Sequence, residues 1–201
     1  MYYIEIIEAS YCTLIIRKMN KICMQHRPQQ VLLTLLLILA LPTTLTIGFI
    51  LPANAATLRV PLEYPTIQAA VNAAASGDII EVDAGTYFEN VIVNQTVTIQ
   101  GFSATSTIVD GGGTNVVFYI QEDNVELRDL TIQNGGTYSG VIIYYPNNAL
   151  TIRNTRIVNN AVGIVVSEVD DNLFENNVFI NNQMYGIDLV YSSNTIIRDN
   201  Q

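Results

Sequence analysis

A short pattern recurs four times in the second half of the chain, and a repeat of this length limits the fold more than any other feature. Val116-Val117-Phe118-Tyr119, Val141-Ile142-Ile143-Tyr144, Ile164-Val165-Val166-Ser167 and Ile187-Asp188-Leu189-Val190 can be written over one another, at offsets of 25, 23 and 23 residues. Gly140, Gly163 and Gly186 precede the last three, and Asn115 precedes the first. A second register follows in each unit: Leu127-Arg128-Asp129, Ile152-Arg153-Asn154, Phe174-Glu175-Asn176 and Ile197-Arg198-Asp199. A period in the low twenties marks a solenoid, in which each unit buries its apolar face only by stacking on its neighbours.

The content of the repeat selects the type of solenoid. Val116, Val141, Ile164 and Ile187 form one column, and Phe118, Ile143, Val166 and Leu189 a second, two residues on. Period two with β-branched residues predicts a strand at the head of each unit. Leu127, Ile152, Phe174 and Ile197 predict another, and Ile132, Ile157 and Phe179 a third. Asn, Asp and Gly lie between them and suit tight turns. No unit has a helical apolar period, so helical repeats are excluded. The expected fold is all-β: a parallel β-helix with coils about 4.8 Å apart, right-handed by the usual hand of parallel connections.

The chain divides into three parts. Residues 1–30 form a leader with Arg17, Lys18, Lys21 and Arg27; Met19 or Met24 is an alternative start, leaving the first residues untranslated. Residues 31–55 hold an apolar run from Val31 to Leu51 and a small-x-small site at Ala53 and Ala55, the pattern of a secretory signal cleaved before Ala56. The competing reading is an uncleaved anchor, since the run is long enough to span a bilayer. Residues 56–201 form the β-helix domain. The expected location is secreted, periplasmic or cell-surface, with membrane contact only through an uncleaved anchor.

Removing the leader changes the chemistry of the rest. Cys12, Cys23 and His26 all precede Ala56, and beyond it five arginines and no lysine face sixteen carboxylates. That balance argues against nucleic acid as a partner. Without cysteine no disulfide forms, so stacking alone holds the coils.

Residues 58–90 read as a cap on the first coil. Ile67, Ala70, Val71 and Ala74 form one apolar stripe, started by Pro65 or Thr66 and ended by Gly77. Ile79–Val82 and Val91–Val93 read as strands around a turn at Ala84-Gly85. The run Val60-Pro61-x-Glu63-Tyr64-Pro65-Thr66-Ile67-Gln68-Ala69-Ala70-Val71, then Ser76-Gly77-Asp78, then Ala84-Gly85-Thr86-Tyr87-x-Glu89-Asn90 resembles the start of pectin-lyase-like right-handed β-helix proteins. Pectin methylesterases, mannuronan epimerases and NosD-like maturation proteins share such a start, and the Asn-rich coils resemble the NosD-like group most. The resemblance covers about Ala56 to Gln201 and implies the fold; several activities share the motif, so it implies none of them.

The motifs of those activities are missing from the residues. No aspartate pair with flanking glutamines and arginine matches the methylesterase pattern, and no histidine follows Ala56 for an epimerase motif. Copper prefers soft or imidazole ligands, and Met184 is the one such residue after Ala56. No cofactor is expected. Calcium is the metal left open, through Glu168, Asp170 and Asp171, against the plainer reading of a solvated loop. Asp110-Gly111-Gly112-Gly113 lacks the Lys-Ser/Thr of a phosphate cradle and reads as a turn. The columns Asn134/Asn159/Asn181 and Asp129/Asn154/Asn176/Asp199 read as turn residues whose amides bond along the stack.

The outward positions carry the candidate site. Tyr119, Tyr144, Ser167 and Val190 form one column and Ile120, Tyr145, Glu168 and Tyr191 the next, with Asp188 nearby. Tyrosines beside carboxylates suit a polysaccharide: sugar ring faces stack on aromatics while hydroxyls bond to acids. The alternative is that the tyrosines only cover the sheet. Glu168 and Asp188 lie on adjacent units but out of register for a glycosidase acid pair. Two functions stand: an exported module, carbohydrate-binding or structural, or a polysaccharide-active lyase, epimerase or hydrolase with catalytic coils beyond residue 201. The last repeat stops at Gln201, inside the pattern. The expectation is that further coils, a partner or a second copy continue the stack.

Overall fold

Inward-facing apolar residues recur every coil and stack into continuous columns. The computed structural model describes residues 55–144 and 149–201. The leader, the apolar run, the cleavage site at Ala53 and the tyrosine at 145 lie outside them. No helix among the described residues is long and apolar enough to cross a membrane.

Three parallel sheets run along the stack. The first holds β1 (Thr57–Val60), β2 (Ile79–Val82), β5 (Thr98–Gly101), β8 (Glu126–Arg128), β11 (Thr151–Arg153), β14 (Leu173–Glu175) and β17 (Ile196–Arg198). The second holds β3 (Gly85–Phe88), β6 (Thr107–Asp110), β9 (Thr131–Gln133), β12 (Arg156–Val158) and β15 (Val178–Ile180). The third holds β4 (Val91–Val93), β7 (Phe118–Ile120), β10 (Val141–Tyr144), β13 (Val162–Ser167) and β16 (Tyr185–Val190). Five coils take one strand from each sheet, and β1 before them and β17 after them extend the first sheet alone, giving about six turns of a right-handed parallel β-solenoid. The span read as a turn at Ala84-Gly85 contains β3, because Gly85 and Tyr87 pair with Thr107 and Val109 one coil on.

The first sheet's inward column is Leu58, Ile80, Ile99, Leu127, Ile152, Phe174 and Ile197. In the third, Val141, Ile164 and Ile187 share one inward column, as their period predicts. Leu127, Ile143, Ile152, Val166 and Phe174 are fully buried. Each such side chain contributes about 1.5–3 kcal/mol of transfer free energy. One register differs from the sequence reading. Val141 pairs with Phe118 rather than Val116, so the first unit is offset by two residues. Within the strand parity survives, with Phe118 inward and Tyr119 outward, but Val116 precedes the strand and lines the outer groove while Val117 is fully buried. The sequence alone did not separate the two registers, since Val116 and Phe118 both fit an inward column.

The single helix among the described elements, α1 (Ile67–Ala73), packs on β1, β2 and β4 and buries Ile67, Ala70 and Val71. Thr66 caps it by accepting from Ala69 N–H at 3.0 Å. Glu89 completes the cap: its carboxylate oxygens accept from Ile67 and Gln68 N–H, both at 3.0 Å. Gly77 does not end the helix. Ala74 does so in an extended conformation, and Gly77 instead donates to Thr96 O at 2.7 Å.

The asparagine columns divide their work differently from expectation. Asp129, Asn154, Asn176 and Asp199, with Asn134, Asn159 and Asn181, hold left-handed turn positions at φ between 52° and 58°. Asparagine and aspartate visit that region more readily than other residues with a Cβ. The amides that clasp coil to coil belong mostly to the next residue. Asn177 Oδ1 accepts from Thr155 N–H at 3.0 Å while its Nδ2 donates to Ile152 O at 2.8 Å. Asn160 makes the same pair with Gly135 N–H and Ile132 O, and Asn182 with Asn160 N–H and Ile157 O.

Candidate functional site

The outward residues of the third sheet converge on a groove over its early coils. One outward column runs Ile92, Tyr119, Ile142, Val165, Asp188. The neighbouring column runs Tyr144, Ser167, Val190. Tyr119 therefore does not align with Tyr144, as the sequence spacing suggests; it pairs with Ile142 and meets Tyr144 on the diagonal. Their ring centroids lie 6.4 Å apart at 75°, an edge-to-face contact.

The walls come from the long crossings between the second and third sheets. Residues 111–117 and 134–140 are longer than the later crossings at 159–161 and 181–184, and they rise beside the first coils. Asn90 pins the first crossing by donating to Val116 O at 2.9 Å. The second is folded back by a Tyr138 N–H to Gly135 O bond of 3.0 Å. Asn90, Ile92, Asn115, Tyr119, Tyr138 and Tyr144 are among the residues that line the resulting groove, of about 370 Å³. Tyr138 is half-exposed at 48% and Ile92 at 46%, so both offer apolar surface to a ligand.

The other residues singled out from sequence lie elsewhere. Glu168 and Tyr191 fall on one turn column, since Ser167 pairs with Val190 immediately before them. Both adopt left-handed backbone, at φ 58° and 51°, and Tyr191 is fully presented to solvent, away from the groove lining. Asp188 shares the outward column of Tyr119 but three coils on, roughly 14 Å away at the usual strand spacing. It pairs with Val165, not with Glu168. Tyr138 and Ile92 were missed by sequence reasoning. Tyr138 lies in a crossing outside the repeat, and Ile92 lies on a coil that precedes it.

The outer face of the first sheet is charged but nearly self-neutralised. Arg59, Glu81, Gln100, Arg128, Arg153, Glu175 and Arg198 stack in one column. Arg59 pairs with Glu81 at 3.5 Å and Arg198 with Glu175 at 2.8 Å, while Glu126 serves both Arg128 and Arg153. Among the described residues no group of three or more His, Cys, Asp or Glu side chains is placed to hold a metal ion.

Comparison with known proteins agrees with this architecture. Residues 75–201 match the family model described as the right handed beta helix region. No curated protein matches. Among solved structures, an alginate lyase from Paenibacillus sp. str. FPU-7 is similar at 18% identity and a TM-score of 0.51, over 72% of this chain and 65% of that one. Pectin methylesterase PemA from Erwinia chrysanthemi is similar at 13% identity and a TM-score of 0.46, over 67% of this chain and 54% of that one. A pectin methylesterase from carrot gives 15% identity and a TM-score of 0.44, over 64% of each chain. The chain thus spans about half to two thirds of the length of these enzymes, and at such identities the likeness concerns the fold.

Proposed function

Because the chain belongs to the right-handed beta helix family, we propose that its third sheet binds a neutral glycan in the tyrosine groove, as an exported module at the cell surface or in the medium. The observation that carries this reading is the convergence of Tyr119, Tyr138 and Tyr144 on one groove beside the amide-bearing Asn90 and Asn115. Aromatic faces cover the apolar side of a pyranose ring, and amides and phenol groups take its hydroxyls. The basic flank, apolar run and Ala53-Asn54-Ala55 site support export. The excess of carboxylates over arginines after Ala56 disfavours a polyanionic glycan without a bridging cation.

Calorimetry of the 201-residue protein against cellohexaose, xylohexaose, mannohexaose and polygalacturonate tests the proposal. The expected result is binding to at least one neutral oligosaccharide, weakened roughly tenfold or more, about 1.4 kcal/mol, by Tyr119→Ala and by Tyr144→Ala. If none of the neutral oligosaccharides binds, or neither substitution matters, the tyrosines serve only to cover the sheet.

A further inference from the structure

A second, open cavity shares no lining residue with the groove but borders the same crossings at 111–117 and 134–140, beyond the ends of β3 and β6. It measures about 440 Å³ and is lined by Phe88, Asp110, Gly112, Gly113, Asn134, Gly136 and Asn159. Phe88 ends β3 and pairs in register with Asp110 one coil on. Phe88 is 77% exposed and so offers an apolar ring face at the edge of the cavity.

Asp110 is the opposite case, a carboxylate only 7% exposed. It is held by three neutral donors: Gly112 N–H at 2.9 Å to Oδ1, and Gln133 Nε2 and Asn134 Nδ2, both at 2.7 Å, to Oδ2. Among the ion pairs of the described residues none involves it. A carboxylate has about four acceptor sites, so one remains on Oδ1. Asn134 spends its Nδ2 on Asp110 and keeps its Oδ1 as an acceptor. Asn159, one coil further, presents an exposed amide to the same cavity. The lining at Gly112 and Gly113 is bare backbone, and an added Cβ at either would meet nothing within 4 Å.

These features narrow the ligand. An anion is disfavoured, because the turn's Gly112 N–H is already taken by a negatively charged group. A hard cation wants six or more oxygens, and the lining offers a single carboxylate already engaged by three donors. An apolar ring face beside fixed acceptors and an amide donor matches a neutral pyranose, with one face on Phe88 and hydroxyls toward Asp110, Asn134 and Asn159. We infer that the Phe88–Asp110 cavity is a second glycan site, which takes one neutral pyranose unit independently of the tyrosine groove.

Saturation-transfer NMR on the 201-residue protein tests this, with the methyl β-pyranosides of glucose, galactose, mannose and xylose as single probes. At least one should receive transfer in the wild type and in Tyr119→Ala. Phe88→Ala, which truncates an exposed ring and leaves the stacked core alone, should abolish the transfer that remains in Tyr119→Ala. Asn159→Gly, which keeps the left-handed turn while removing the amide, should weaken affinity at least tenfold. The inference is overturned if no pyranoside receives transfer, or if Phe88→Ala leaves the transfer in Tyr119→Ala unchanged. It is also overturned if Tyr119→Ala removes all of it, since binding then runs through the groove alone.

Discussion

Gln68 and Ile92 are joined twice, side chain to main chain. Ile92 N–H donates to Gln68 Oε1 at 2.7 Å, and Gln68 Nε2 donates to Ile92 O at 3.1 Å. The carboxamide offers the edge of β4 the same donor and acceptor that a further strand would offer. An open strand edge is a template for other chains, so α1 closes the third sheet by polar pairing as well as by burying Ile67, Ala70 and Val71.

Gln68→Ala should lower stability by about 0.5–1.5 kcal/mol, the usual net worth of such bonds. That corresponds to a fall of a few degrees in the thermal midpoint. Exchange of the Ile92 amide should accelerate in the variant. Unchanged exchange there would mean that the pairing does not protect the edge.

Val166 and Ser167 are neighbours with opposite outlooks. Val166 is fully buried between Ile143 and Leu189, and Ser167 stands outward between Tyr144 and Val190. Val166→Asp strands a charge in the core and should cost several kcal/mol, on the order of 3–5. Ser167→Asp should stay within about 0.5–1 kcal/mol of wild type, as surface substitutions do. Equal shifts in denaturation midpoint would contradict the assigned parity.

Gly101 closes the inward column of Val60 and Val82 because nothing larger fits. A Cβ there would lie 2.2 Å from the Asp129 carbonyl oxygen, which is backbone and has little freedom to move. Gly101→Ala should cost about 1–3 kcal/mol from overpacking, read as a lower urea midpoint. A variant as stable as wild type would show that the coil can open at this turn.

Much of the stack was legible because its physics is local and periodic. Strand parity at Val141, Ile164 and Ile187 follows from alternation alone, and the left-handed turns follow from asparagine's tolerance of positive φ. What escaped depends on residues outside the repeat. Val116 and Phe118 are both apolar and two apart, so parity could not fix their register, and Tyr119 was placed beside Tyr144 instead of on the diagonal. Tyr138 reaches the groove from a crossing whose length varies between coils. The roles of Gln68 and Glu89 are long-range pairings that no spacing reveals. The clasping amides were displaced by one position, because the turn column is regular while Thr155, Asn177 and Asn200 share a column with Leu130.

Tyr87 gives the fold a weakness at high pH. Its phenol is pushed above the ordinary tyrosine range, first by burial and then by the charges of Asp83 and Glu89. Its hydroxyl donates to Asp83 O at 3.1 Å. Above pH about 10, the ordinary tyrosine value, the unfolded chain releases a proton that the folded chain still holds. Stability from this group is therefore complete below that pH and is lost as pH rises toward the folded value. The Tyr87 contribution to the urea midpoint should hold up to about pH 9.5 and fall away above about pH 10, and the fall above that pH should be shallower in Tyr87→Phe. An identical slope in both proteins would remove Tyr87 as the cause.

The Asn177 clasp makes the sharpest prediction, because one atom changes its sign. Asn177 is fully buried, accepts from Thr155 N–H and donates to Ile152 O. Asn177→Ala leaves both groups unpaired in the core, at about 1–3 kcal/mol each. Asn177→Asp keeps the acceptor but turns a carboxylate oxygen toward the Ile152 carbonyl. Burial and that repulsion favour the protonated acid, so its pKa in the folded state should rise above the unfolded value of about 3.9. At neutral pH the unfolded chain then carries a favourable charge that the folded chain must bury, and the variant should be strongly destabilised. As pH falls through the raised value the acid gains a proton, donates to Ile152 O as the amide did, and the deficit against wild type should shrink. Denaturant midpoints of both proteins at pH 7 and at about pH 4 check this. A deficit that is constant with pH would show that the Nδ2 to Ile152 O bond is not what Asn177 contributes.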